Sequence, residues 1–87
     1  MSRYRVDIAR RAIKALTALP RQEQQRVRAA IDLLADSPRP PGCTKLTGED
    51  NTYRVRVGVY RIVYEAFDDH LVIHVVGIGH RRDIYRG

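Results

Sequence analysis

Between Tyr4 and Ile8 apolar and charged side chains alternate, with Tyr4, Val6 and Ile8 on one side and Arg5 and Asp7 on the other. This two-residue period predicts a short strand with one buried face. From Arg10 the period lengthens. Ala12, Leu16 and Leu19 form an apolar stripe, Ile13 stands three before Leu16, and Arg10, Arg11 and Lys14 fall mostly off it; that spacing predicts a short amphipathic helix. Pro20 is tolerated in the first turn of a second helix, where its missing N–H is not needed. Residues 22–35 then carry Val27, Ala30, Ile31 and Leu34 on one face. Each helix is too short to be stable alone, so both need a partner layer.

Residues 36–51 hold three prolines and two glycines, the composition of a connecting loop, with Leu46 as its expected anchor. "TYRVRV" alternates strictly, placing Tyr53, Val55 and Val57 opposite to Arg54 and Arg56. Gly58-Val59 suits a type II′ hairpin turn, which wants glycine first. Such a turn pairs Val57 with Tyr60 and sets Arg56 directly across from Arg61, with Arg54 on the same face. "YRIVYEAF" is the next strand, Asp68-Asp69 a second tight turn, and "LVIHVVGI" the last long strand. Gly77 and Gly79 allow that strand to bend, and "DIY" could add a short edge strand. The expected fold is α+β, two N-terminal helices packed on a mainly antiparallel twisted sheet of about four strands, in the order β-α-α-β-β-β.

Eighty-seven residues, 44% of them hydrophobic, fit one globular domain spanning 1–87 and are too few for two. Sixteen basic against ten acidic residues give a formal net charge of +6, which points to an anionic partner, with nucleic acid, an acidic protein and a membrane surface all open. Cys43 is the only cysteine, so neither an internal disulfide nor a thiolate cluster can form. The start lacks the apolar stretch of a signal peptide, and no run of about 20 apolar residues is available to cross a bilayer. A cytoplasmic protein with no membrane association is expected.

Two arginines facing each other on a sheet cost roughly 0.2–1 kcal/mol relative to a neutral pair, unless something anionic lies between them. Glu65, on the Arg61 side of its strand, is the internal candidate; a phosphate, gripped by planar guanidinium groups, is the external one. Behind the last strand, "GHRRDIY" crowds His80, Arg81, Arg82 and Tyr85 together. His80 titrates near neutrality and can move a proton, or it is a packing residue. Arg81 and Arg82 alternate in direction, so one of them reaches a shared site. Tyr85 either stacks on a base or covers the sheet edge. His74 reads as structural or peripheral, on the arginine side if Asp68-Asp69 is the turn, and His70 as solvated. The spacing 70, 74, 80 matches no tight metal motif, and no phosphate-cradling glycine loop is present; neither metal nor cofactor is expected.

The "L..LP" ending of the first helix at Leu16 to Pro20, the stretch "KLTGEDNTYRVRVGVYRIVYEAFDD" and the closing "VGIGHRRDIY" together resemble the RelE/ParE toxins of bacterial toxin–antitoxin pairs, over nearly the whole chain. The resemblance to the RelE branch implies a ribosome-dependent endoribonuclease that cleaves messenger RNA in the A site, the 2′-hydroxyl attacking the adjacent phosphate. It implies that Arg61 stabilises the transition-state phosphate, that Arg81 protonates the leaving oxygen or clamps the phosphate, and that Tyr85 orients the substrate base. His80 fills a place where several relatives carry an active-site histidine or lysine, and Arg54, Arg56, Lys45 and Arg82 would bind RNA. The related enzyme has lysines where Arg54 and Arg56 stand. Arginine is a poor general base, so His80, Glu65 or a displaced Lys45 takes the proton, or the enzyme works mostly by electrostatic clamping. Implied partners are a RelB-like antitoxin, the 70S ribosome with messenger RNA in its A site, and operator DNA only through the antitoxin complex. The ParE branch, which shares the fold and poisons DNA gyrase by binding, is the alternative.

Overall fold

The computed structural model describes residues 3–80. Strand β1 (Arg5–Ile8) runs with one intervening residue into helix α1 (Arg10–Thr17), and α2 (Arg21–Asp36) follows. Strands β2 (Thr44–Lys45), β3 (Thr52–Val57), β4 (Tyr60–Phe67) and β5 (Val72–His80) complete a five-stranded sheet in the order β1-β5-β4-β3-β2. The architecture is α+β. It differs from the expected one by the two-residue β2, inside the predicted loop, and by β1, which lies parallel to β5 at the sheet's edge. Two residues are too few to show a period in sequence, and a parallel partner needs a crossover that only the intact fold reveals.

The helix pair is held at its corner by the side chain of Gln24, whose amide donates to the carbonyls of Thr17 and Leu19. Pro20 stands just before α2 rather than in its first turn, extended at φ −55° and ψ 150°, and its carbonyl accepts from the N–H of Gln24 at 2.9 Å. Both helices cover a single face of the sheet. Ala12 and Leu16 from α1 and Val27, Ile31 and Leu34 from α2 meet Ile62, Tyr64, Ala66, Ile73 and Val75, all buried. Each large apolar side chain there contributes about 1.5–3 kcal/mol by leaving water. Ile13 falls outside this core and is 46% exposed.

Loop 37–43 is fastened by Arg39, whereas Leu46, the expected anchor, is half-buried further along and donates its N–H to the carbonyl of Thr52. The Arg39 guanidinium donates to both carboxylate oxygens of Asp68, at 3.1 and 2.9 Å, and to the hydroxyl of Tyr53 at 2.9 Å. Tyr64 donates to the carbonyl of Pro38 at 2.7 Å, and Cys43 packs half-buried against the core. Burial above all, with Cys43 next, drives the Tyr64 hydroxyl far above its ordinary value, so it stays a donor.

Strand β5 contains the feature that governs the site. Between the pairs Val63↔Gly77 and Tyr64↔Val75 the register shifts by one, leaving Val76 as the extra residue of a bulge. Arg11 of α1 donates to the carbonyl of Val76 at 2.8 Å, fastening the bulge to the helix layer. A bulge reverses the alternation beyond it. Ile73 and Val75 before it and Ile78 after it all enter the core, whereas His74, Gly77 and Gly79 lie on the opposite face.

Candidate active site on the open sheet face

The sheet face away from the helices carries the charge. As the alternation of "TYRVRV" predicts, Arg56 is paired directly with Arg61 and Arg54 with Val63. Gly58 takes φ +63°, and Val59 does not join it at positive φ, which is the type II′ pattern. The three arginines share one face. Together with Thr44, Pro41 and Gly42 they line a cavity of about 300 Å³. Their exposure is graded: Arg56 is exposed, Arg54 half-buried, and Arg61, at 6%, lies at the bottom. On the other side of Arg61 stands Gly79, and Gly77 is opposite Val63. A Cβ built on Gly77 would meet nothing within 4 Å, so this glycine leaves space on the arginine face. Planar, permanently charged donors converging on a cleft suit a phosphate.

The remaining predicted residues are distributed differently. Lys45 is paired with Tyr53, whose ring stacks on Tyr64 at 5.9 Å in the core layer, so its register position belongs to the helix side; its neighbour Thr44, opposite Arg54, is the residue that faces the cavity. His80 is paired with Tyr60, the two rings meeting edge-on at 6.2 Å. The bulge sets this pair on the helix side, away from the face of Arg61. Glu65 does share the arginine face, but its Oε1 lies 3.1 Å from Nδ1 of His74, four residues, or about 13 Å, along β4 from Arg61. Arg81, Arg82 and Tyr85, with the strand suggested for "DIY", lie outside the described residues.

The Glu65 and His74 pairing was hidden by the turn. A two-residue turn at Asp68-Asp69 would have placed His74 opposite Val63. Instead residues 68–71 form a four-residue connection, with Leu71 at φ +55° and Phe67 paired to Val72. The leucine offers no signal for a left-handed conformation; only the register reveals it. Among the described residues no group of His, Cys, Asp and Glu is arranged to hold a metal ion, and no helix is long and apolar enough to cross a membrane.

Comparison with known proteins agrees with this geometry. Residues 6–85 match the family model described as the ParE toxin of the type II toxin–antitoxin system parDE. The toxin-family protein RelE1 of Methanocaldococcus jannaschii is 30% identical over 87 residues, covering 97% of each chain. The crystal structure of the archaeal RelE–RelB complex from Pyrococcus horikoshii OT3 contains a chain that is 32% identical, with a TM-score of 0.82 over 93% of this chain and 97% of that one. A chain of the intact Escherichia coli RelBE toxin–antitoxin complex is 26% identical with a TM-score of 0.77, over 88% of this chain and 95% of that one. A basic cleft on an open, mainly antiparallel sheet, two helices behind it and these matches along almost the entire length lead to one assignment: the chain belongs to the RelE/ParE superfamily of type II toxin–antitoxin toxins.

Proposed function

We propose that this toxin is a ribosome-dependent endoribonuclease that cleaves messenger RNA in the A site by attack of a 2′-hydroxyl on the adjacent phosphate, with residues 1–87 acting as one domain. The observation that carries the reading is the cross-strand pair Arg56 and Arg61, with Arg54 beside it, around an open cleft. As the 2′-oxygen attacks, negative charge accumulates on the phosphate oxygens. Fixed cationic donors stabilise that charge more than the ground state, which lowers the barrier. Arg61, buried at the cleft floor, serves the transferring phosphate; Arg54 and Arg56 serve the flanking backbone. Among the residues outside the described range, Arg81 acts on the leaving oxygen, Tyr85 packs on the base and Arg82 adds a phosphate contact. The ribosome supplies much of the positioning, which explains how a site so poor in titratable groups can work.

The partner in the cell is a RelB-like antitoxin. The relatives of known structure from Pyrococcus horikoshii and Escherichia coli are complexes of that kind. An apolar groove between β1 and the two helices, lined by Val6, Ile8, Ile13, Leu16 and Ile31, offers it a seat. The match to a ParE toxin model favours a second reading, a gyrase poison that acts by binding. A cell-free translation reaction with purified toxin separates the two: new 5′ ends in the message with supercoiling by gyrase intact support the ribonuclease, and intact message with inhibited supercoiling supports the second reading.

A further inference from the structure

An arginine cleft can stabilise a phosphate but cannot accept the 2′-hydroxyl proton, since guanidinium groups do not deprotonate in proteins. Of the two histidines on the sheet, His80 sits on the helix side with Tyr60, whereas His74 is on the arginine face. Its Nδ1 lies 3.1 Å from Oε1 of Glu65. A neutral imidazole in that contact donates from Nδ1 to the carboxylate and keeps its lone pair at Nε2. This is the arrangement in which a base is oriented by a third group. The pair is not sealed off: the side chains are 39% and 33% exposed. On the other flank of His74, Asp7 of β1 is in register with it and is engaged by Arg5 at 3.3 Å. That ion pair occupies the second nearby carboxylate, so Glu65 is the group that holds the ring.

The position also suits a substrate on the arginines. Arg54 is paired with Val63, two residues from Glu65 on β4, so Arg54 and His74 are two strand spacings and two residues apart, about 12 Å between Cα atoms. Both project from the same face. Arg61, which serves the transferring phosphate, is opposite Gly79 and so lies one strand spacing and four residues from His74, about 14 Å between Cα atoms; the combined reach of an arginine side chain and an imidazole leaves a gap that one ribose–phosphate unit fills.

We propose that His74 is the general base of the cleavage reaction and that Glu65 is the positioning residue that fixes its tautomer; this rests on the ribonuclease reading above. Nε2 takes the proton of the 2′-hydroxyl as the 2′-oxygen bonds to phosphorus. The P–O5′ bond breaks with its electron pair going to the 5′-oxygen, which takes a proton from water, and the hydroxide so formed recovers the proton from His74. The products are a 2′,3′-cyclic phosphate and a 5′-hydroxyl, with no net consumption of water.

Single-turnover cleavage on programmed 70S ribosomes, measured from pH 5 to 8.5, tests this. Wild-type protein is expected to show a rate that rises with pH and then levels, the profile of an imidazole base. His74→Gln should lose about 10²–10⁴-fold at the plateau and its rising limb; Glu65→Gln should keep the limb and lose less. An H74Q protein with the wild-type rate and limb overturns the role of His74 while leaving the ribonuclease reading intact. A wild-type protein that cuts nothing overturns both. Should H74Q fail to fold, the pH–rate profile on programmed ribosomes decides: a rising limb that persists in His80→Gln supports the proposal, and a flat profile for the wild-type protein overturns it.

Discussion

Asp68 shows how one side chain can tie together distant parts of a small chain. It accepts the hydroxyl of Tyr4 at 2.7 Å from the strand side and the fork of Arg39 from the loop. The Arg39 guanidinium first, and the Tyr4 hydroxyl second, hold its carboxyl below the ordinary value of 3.8. A carboxyl lowered in the folded state contributes stability that is complete above its unfolded value and is lost as pH falls through the folded one. Asp68→Asn is therefore expected to lower the melting temperature at pH 7. The gap to wild type should close as pH falls below about 4. Thermal melts across that range check it, and a gap of constant size would contradict the assignment. None of this was legible in the sequence, where Arg39 and Asp68 stand in two segments read only as a loop and a turn.

At the scale of elements, legibility followed the strength of the local period. "TYRVRV" alternates without a fault and is followed by a glycine, so both the register and the facing arginines are legible in the sequence. Gly58→Ala tests that turn. At φ +63° a Cβ costs about 1–2 kcal/mol, and it would also stand 3.4 Å from the guanidinium nitrogens of Arg26. Denaturant unfolding should register a loss of about that size; an unchanged midpoint would mean that the turn relaxes. Strand β5 is the opposite case. "LVIHVVGIGH" is nearly continuous in apolar residues, so it carries no period from which a face can be read. Gly77 and Gly79 hinted at an irregularity, but its location at Val76 follows from the pairing with β4 and from Arg11 reaching that carbonyl. This one extra residue takes His80 off the face that His74 shares with Arg61.

For the whole molecule, the sheet divides two tasks between its faces. One face carries the core and the helices, and the other is left open with Arg54, Arg56 and Arg61 gathered near one end. The net charge of +6 favours an anionic partner, and such attraction weakens with salt. The measurement that bears most directly on the account is 5′-end mapping of a defined messenger RNA on programmed 70S ribosomes, comparing wild-type protein with Arg61→Ala, after circular dichroism has shown that the variant folds. The account predicts cuts inside the A-site codon that require the ribosome, with a rate about 10²–10³-fold lower for R61A. Equal cleavage by R61A, or an intact message with the wild-type protein, would contradict it.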